Sequence, residues 1–344
     1  MTPEELEALF ESRRLLNMGV QFYPTSSFLQ RTFFSRVIEE DAEHIDIVLK
    51  SGSRTLAPFV SPRIGGKVLD GIKKSIQTYK PAYIKQKFAT SAVDILTKTT
   101  LPIYANEETA LDRVVEKLSE EIEEGNNNID RRVEWMASQV LQTGKCPIKG
   151  EGVDEVIDCL FDDTQIKTLS GTSLWSDEKS SPMKTFRDIR KERTDAGGKA
   201  PNTIVMGVEA YQAYINHPET LQMFESRRID RGNLKPDMIE ENVIYIGYIP
   251  EIASKLYVYD ETYVDEESGN TKYFVNPKGF IYGSTKAEGV VAFGAIKDLQ
   301  ALYATKVFIK SWEEEDPSVR WLLMQSAPVV IPTYKDSFAY CEVL

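Results

Sequence analysis

The sequence has few cysteines and histidines, which argues against several kinds of stabilising or catalytic centre. Its three cysteines, Cys146, Cys159 and Cys341, are an odd number without a C-x-x-C pair. Neither a disulfide framework nor a zinc site is therefore predicted. The two histidines, His44 and His217, lie far apart and have no metal-ligating residue types at a useful spacing. We expect no metal ion and no cofactor.

Long apolar runs and export signals are also missing. No window approaches the roughly 18 uncharged apolar residues that a membrane span needs. The first residues, MTPEE, are acidic and polar, unlike a secretory signal or a transit peptide. We therefore expect no membrane contact and folding in a cytoplasm.

The sequence contains none of the common catalytic motifs. G-x-S-x-G, the P-loop, H-E-x-x-H and a complete dinucleotide fingerprint are absent. Residues 61–67 contain Gly-Gly-Lys, but without the spacing that wraps backbone amides around a phosphate. The acidic run at 260–267 lacks the ligand spacing of a calcium loop. We predict no catalytic residue, although an enzyme of unknown chemistry built on residues 182–300 remains an alternative.

The composition is that of a folded protein. The chain has 344 residues, of which 42% are hydrophobic and 10% aromatic, enough for one large or two medium domains. Its formal net charge of −12 argues against general affinity for nucleic acids over most of the surface.

Residues 50–100 form a basic segment in this acidic chain. Ten basic residues stand against two acidic ones, which gives a local net charge of +8. The segment has few apolar residues and is interrupted by Gly65-Gly66 and three prolines. It cannot bury enough apolar area to fold alone, so we predict that it lies on the acidic surface of another copy. The predicted contact residues are Arg54, Arg63, Lys67, Lys73, Lys74, Lys80, Lys85 and Lys87.

The same basic segment could instead bind nucleic acid, because tyrosines flank some of its lysines. Its predicted strand-like legs are residues 55–60 and 79–88, with a tip near residues 65–74. The tip is expected to be disordered in a free subunit and ordered in an assembly.

The N-terminal region is predicted to be an arm that docks by an aromatic anchor. Thr2 and Glu5 have the spacing of a capping box, and apolar residues at helical spacing predict a short amphipathic helix over 3–16. The anchor residues are Phe28, Leu29, Phe33 and Phe34.

The rest of the chain mixes helices and strands. Residues 107–144 are predicted to be helical, with a break at the sequence GNNN of 125–128 and a stop at Gly144. Residues 150–168 read as strand-turn-strand. Residues 182–300 are predicted to form a compact α+β domain that begins with a helix at Ser181-Pro182. Late strands near 302–311, 321–326 and 339–344 are expected to pair with residues 35–60.

The chain resembles the phage lambda type of major capsid protein, the major capsid protein E family. The resemblance runs nearly end to end. It depends on the order and spacing of the matching stretches and on the total length of the chain. Its most telling stretches are residues 28–36 (FLQRTFFSR), 57–67 (APFVSPRIGGK), 79–85 (YKPAYIK) and 323–331 (LMQSAPVVI).

The resemblance implies an α+β fold of the Hong Kong 97 phage type. It implies an N-terminal arm at 1–47 and an extended loop at 48–100. It also implies a peripheral domain, with a spine helix and long strands, at 101–181 and 301–344, and an axial domain at 182–300. The chain begins directly with the arm, so no scaffolding segment of its own is expected.

The same resemblance implies a structural protein without enzymatic activity. Copies are expected to form pentamers and hexamers of an icosahedral shell around double-stranded DNA, which they contact non-specifically. A portal, a scaffold and a decoration protein are the expected partners. The expected location is the virion, after assembly in the host cytoplasm.

Overall fold

The computed structural model describes residues 27–52, 73–91, 110–226, 237–240, 242–266, 268–301, 303–314 and 319–344. The predicted helix at 3–16 and the predicted strand at 55–60 lie outside these residues, as does most of the predicted loop tip. No helix among the described residues is long and apolar enough to cross a membrane. The described helices are α1 Phe28–Phe33, α2 Ala110–Thr143, α3 Pro182–Asp195, α4 Val208–Asn216 and α5 Pro218–Ser226.

Nineteen strands are described. Those of the N-terminal half are β1 Arg36–Glu39, β2 Ile45–Ser51, β3 Lys73–Tyr79, β4 Ile84–Ser91, β5 Lys145–Gly150, β6 Val153–Asp158 and β7 Ile166–Thr168. The next are β8 Thr203–Met206, β9 Asp237–Glu240, β10 Val243–Ile249, β11 Ser254–Tyr259, β12 Thr262–Val264 and β13 Thr271–Tyr273. The last are β14 Gly279–Gly283, β15 Val290–Phe293, β16 Phe308–Glu314, β17 Val319–Ser326, β18 Pro328–Ile331 and β19 Ala339–Glu342.

Helix α2 is one continuous helix of 34 residues. The predicted break at 125–128 is therefore wrong, whereas the predicted stop at Gly144, which has φ +69°, is confirmed. Gly125 is needed for packing instead: a Cβ there would lie 2.1 Å from Met324 Sδ. The side-chain amide of Gln86 also donates to Gly125 O over 2.6 Å. The absence of a side chain at Gly125 thus lets β17 come close to α2, and the helix continues through this position.

A seven-stranded mixed sheet forms the largest layer, in the order β7-β19-β14-β8-β11-β10-β9. Buried side chains of this sheet pack with residues of α3 and α4 and with Trp175 in one hydrophobic core. The predicted start of α3 is confirmed, because Ser181 caps it by accepting from Lys184 N and proline follows. Strands β12 and β13 form a separate antiparallel hairpin. The sheet takes β7 and β19 from outside 182–300, and the domain limits themselves remain a prediction.

The late strands do not pair where the sequence suggested. Strand β17 pairs along its whole length with β4, and β16 pairs with the other edge of β17. Strand β18 reaches β1 only through β15, which lies between them. Within the described residues 35–52 no direct pairing with β16, β17 or β19 occurs, so the prediction is wrong for that part of the range. Alternation indicates which face of a strand is buried, but it does not identify the neighbouring strand.

One leg of the predicted loop also differs from expectation. The predicted leg 79–88 is two strands, because β3 ends at Tyr79 and Pro81, which has no N–H to donate, precedes β4. Strand β3 pairs with β2 over seven residue pairs. The predicted strand-turn-strand at 150–168 is confirmed as β6 and β7, although these two strands pair with β5 and β19 and not with each other.

Candidate subunit interface

The hairpin of β2 and β3 forms the described root of the predicted extended loop. Its inner face carries Ile45, Ile47, Leu49 and Tyr79, all buried in the main core. Its outer face pairs Asp46 with Thr78, Val48 with Ile76 and Lys50 with Lys74. The side chain of Ile76 is 67% exposed, and Lys74 is exposed beside it. The root therefore presents an apolar and basic face to its surroundings.

The predicted contact residues fall into three groups. Lys74 and Lys85 are exposed and have no acidic partner in the described part of the chain. Lys80 and Lys87 are exposed but already bind their own chain: Lys80 Nζ lies 2.7 Å from Glu155 Oε1, and Lys87 Nζ lies 3.3 Å from the ring centre of Trp321. The third group is Arg54, Arg63 and Lys67, which lie outside the described residues, and Lys73, whose side chain is not described.

Contacts that the sequence did not predict hold residues 50–52, at the start of the predicted loop. Gly52 lies against Gly197 so closely that a Cβ on Gly52 would be 2.0 Å from Gly197 O. Lys50 N donates to Thr333 O over 2.9 Å, and Lys50 Nζ lies 3.5 Å from a carboxylate oxygen of Glu288. Residues 50–52, where the predicted loop begins, are thus held by backbone contacts.

The four predicted anchor residues, Phe28, Leu29, Phe33 and Phe34, are all buried. The ring of Phe28 lies 5.0 Å from that of Tyr257, and Phe33 meets Phe338 edge to face at 5.6 Å. Their side chains join the same core as the C-terminal half of α2. Their role in fixing the arm remains a prediction.

Glu134, a buried carboxylate of α2, was missed by the sequence reasoning. It accepts from Leu29 N over 2.7 Å, from Gln30 N over 3.0 Å and from the Tyr259 hydroxyl over 3.1 Å. Burial raises the pKa of Glu134 to about 7, although these hydrogen bonds and Arg31 act in the opposite direction. One side chain thus joins the start of α1, the middle of α2 and β11.

Glu134 belongs to a buried polar stripe along α2. The stripe consists of Asp130, Glu134, Ser138 and Gln142, which are spaced four residues apart and are all buried. Lys306 Nζ lies 2.8 Å from Asp130 Oδ1, and Gln142 Nε2 donates to Phe274 O over 2.8 Å. This four-residue spacing was visible in the sequence. The prediction for this segment, however, was based on the apolar residues between the polar ones.

The enzymatic alternative has little support among the described residues. His217 is buried and lies 3.1 Å from Ser180 Oγ, which resembles part of a catalytic arrangement. However, its Nδ1 accepts from Glu219 N over 3.2 Å, so Nε2 carries the hydrogen and donates to Ser180. A general base needs the opposite polarity. The described residues also contain no group of three His, Cys, Asp or Glu side chains that could hold a metal ion.

An open groove of about 270 Å³ is lined by α3 and residues 251–252. Two of its basic groups are occupied within the chain, since Arg187 lies 2.7 Å from Glu251 and Arg190 donates to Ile252 O. A substrate site is normally a concave, mostly apolar pocket with a few polar groups, whereas this groove is open and lined mainly by charged residues.

Comparisons with known proteins point to one family. The family model described as phage major capsid protein E matches residues 12–339. The major capsid protein of Escherichia phage lambda is 23% identical, over 98% of this chain and 99% of the relative. The P21 prophage-derived major head protein of Escherichia coli O6:H1 (strain CFT073) is also 23% identical, over 97% and 99%.

Solved structures give the same answer for the fold. A protein of an Escherichia coli CFT073 prophage, assigned as its capsid protein, aligns over 100% of this chain and 99% of its own, with a TM-score of 0.72 and 21% identity. The mature capsid of bacteriophage PhiM1 aligns over 93% and 87%, with a TM-score of 0.51 and 10% identity. The predicted α+β capsid fold of the Hong Kong 97 phage type is confirmed.

Proposed function

Because the chain belongs to the phage major capsid protein E family, we propose that it builds its shell by laying the loop of residues 48–100 across a neighbouring copy. The protein is a structural component of a phage capsid, not an enzyme, and it assembles into a multimeric shell. In this proposal the copies form pentamers and hexamers of an icosahedral shell that encloses double-stranded DNA, and they assemble in the host cytoplasm.

The charge distribution carries this proposal. The loop segment has a net charge of +8 within a chain of −12. Lys74 on β3 and Lys85 on β4 stay exposed without acidic partners in the described part of the chain. Exposed ion pairs contribute up to about 1 kcal/mol each, but many of them add up across a shell. Weak single contacts also allow misplaced copies to leave.

The other partners follow from the family and the overall charge. A portal, a scaffold and a decoration protein complete the proposed assembly. The acidic chain would contact packaged DNA only non-specifically, because like charges repel within a Debye length of roughly 8–10 Å. An acidic inner face therefore lets DNA move during packaging.

Charge reversal tests the role of the loop. We expect the double variant Lys74→Glu/Lys85→Glu to remain folded as a subunit but to lose most of its shells in electron micrographs. The matched control is Lys179→Glu/Lys184→Glu, which reverses two exposed lysines elsewhere and should assemble normally. Normal shells from the loop variant, or equal losses from both variants, would contradict the proposal.

A further inference from the structure

The segment 333–337, between β18 and β19, joins parts of the chain that are far apart in the sequence. The carbonyl of Thr333 accepts a hydrogen bond from Lys50 N, near the end of β2, over 2.9 Å. The hydroxyl of Ser337 accepts from Lys199 N, in the connection that follows α3, over 2.8 Å. The backbone positions of both lysines are therefore fixed against this one short segment.

The ring of Tyr334, in the same segment, lies close to two ammonium groups. Lys50 Nζ is 5.3 Å from the ring centre, and Lys199 Nζ is 4.9 Å from it. Such cation–π contacts are attractive, so the ring holds the two charges near each other. Tyr334 N also donates to Ala287 O over 3.3 Å, which brings the exposed Lys286 to the same place. We call Lys50, Lys199, Lys286 and Tyr334 the lysine patch.

The lysine patch collects positive charge. Lys199 and Lys286 are exposed and form no ion pair with another described residue. Lys50 is partly compensated, because its Nζ lies 3.5 Å from Glu288 Oε2. Lys74 lies opposite Lys50 in the pairing of β2 with β3, and like charges in this arrangement repel each other. The described side chains of this surface thus carry a net positive charge.

This cluster fits a ligand whose negative charges are closely spaced. One strand of DNA carries a phosphate about every 3.4 Å along the helix axis, so several phosphates can reach ammonium groups gathered at one ring. The chain as a whole has a net charge of −12 and would repel phosphates over most of its surface. A cluster of lysines therefore marks a place where a nucleic acid can approach.

We propose that the lysine patch binds phosphate groups of double-stranded DNA. Lys50, Lys199 and Lys286 supply the positive charges, and the ring of Tyr334 keeps the first two in position. Contacts of this kind go to the DNA backbone and carry no sequence information. They give the shell a weak, non-specific contact with DNA at a defined place. This inference rests on the proposed function, which supplies DNA as the partner.

DNA binding by the full-length chain tests the lysine patch. A short fluorescent duplex is titrated with protein at several salt concentrations, and its anisotropy is measured. The plot of log affinity against log salt should have a slope of about −3, since about three phosphates are contacted. Lys199→Gln/Lys286→Gln should make the slope shallower by about 2 and lower the affinity by about tenfold or more at low salt.

The matched control is Lys179→Gln/Lys184→Gln, which removes the same charge from two exposed lysines elsewhere. It should keep the wild-type slope. Equal losses in the two double variants would overturn the inference, because they would reflect net charge alone. A patch variant with the wild-type slope, or a wild-type chain without salt-dependent binding, would overturn it as well.

The ring of Tyr334 allows a second measurement, because it acts as a positioning residue for the lysines. Tyr334→Leu should weaken DNA binding by about threefold and leave the salt slope unchanged, since the charges remain but are no longer held. Tyr334→Phe keeps a ring and should bind as the wild type does. Equal affinities for the wild type and the leucine variant would contradict this positioning role.

Electron micrographs of the same proteins separate this inference from the proposed function. Wild-type protein that forms no shells would contradict the proposed function, whatever the DNA measurement shows. Lys199→Gln/Lys286→Gln should still form shells. If this variant lost its shells but bound DNA as the wild type does, the lysine patch would contact another copy of the chain, and the inference would be wrong.

Discussion

The two halves of α2 hold their neighbours by different means. The N-terminal half meets the sheet of β16, β17 and β4 mainly through apolar side chains such as Leu118 and Ile122. Hydrogen bonds between described residues supplement them, for example from Thr90 Oγ1 to Glu121 over 2.7 Å. The C-terminal half adds the buried polar stripe around Glu134 to its apolar contacts.

This difference has a physical consequence. Apolar contacts have no direction, so a sheet can shift slightly on the N-terminal half at little cost. Buried hydrogen bonds are lost abruptly when their geometry changes, because each unpaired group then bears its desolvation cost. The C-terminal half of α2 should therefore fix one arrangement of α1, α2 and β11, while the N-terminal half tolerates adjustment.

The largest expected effect comes from removing the carboxylate of the C-terminal half. Glu134→Ala leaves Leu29 N, Gln30 N and the Tyr259 hydroxyl buried without this acceptor. We expect the free energy of unfolding to fall by about 4 kcal/mol, measured by urea denaturation of the subunit. Glu134→Gln, which keeps an acceptor, should lose clearly less. A loss below about 1 kcal/mol for the alanine variant would remove Glu134 from this role.

The pH dependence should be the next largest effect. The pKa of Glu134 is raised to about 7, so the folded protein holds a proton that the unfolded chain releases at lower pH. The stabilisation by this proton is complete below the unfolded pKa, near 4.5, and is lost as the pH rises through about 7. The stability of wild type relative to Glu134→Gln should fall by about 3 kcal/mol across this range. Parallel curves for the two proteins would contradict the assignment.

Truncation in the N-terminal half should cost less. Ile122 is fully buried against β17, and Ile122→Ala should lower the free energy of unfolding by about 2 kcal/mol. This is the lower end of the usual range, because the flexible side chain of Met324 can move into the space. Calorimetry of Ile122→Ala and Glu134→Ala compares the stability lost in the two halves of α2. A larger loss for Ile122→Ala would reverse the ranking of the two halves.

The smallest expected effect is at the hydrogen bond between Thr90 and Glu121. Thr90→Val keeps the side-chain shape but removes the donor, and about 1 kcal/mol should be lost. Thr90→Ser retains the hydroxyl and serves as the control. If the valine variant were as damaging as Glu134→Ala, the N-terminal half would also depend on directional contacts.

Local signals in the sequence predicted local structure well. Ser181 followed by Pro182 fixed the start of α3, and Gly144 fixed the end of α2, because caps depend on a few neighbouring residues. Gly125 misled the interpretation, since its role depends on Met324, about 200 positions away. The fold itself was reached through a resemblance spread over the whole chain rather than through periodicity.

At the candidate interface, too, the sequence predicted local character but not the contacts between distant residues. The basic character of residues 50–100 was visible in the composition, but Lys80 and Lys87 turned out to bind Glu155 and Trp321 of their own chain. The burial of Glu134 was not predicted, because a glutamate among apolar helix residues usually lies at the surface. Its burial is explained by two backbone N–H groups of α1 and by the Tyr259 hydroxyl, which all donate to it.

The contact between Gly52 and Gly197 has a geometric consequence for a shell. Half of the twenty residues between the described ends of the loop root, if extended, spans at most about 33 Å. A rotation of about 10° at the glycine contact would move the far end of such a leg by about 6 Å. Because neither glycine has a side chain that could yield, the backbone alone limits this rotation. We therefore expect the curvature of the shell to depend on an angle fixed inside each subunit.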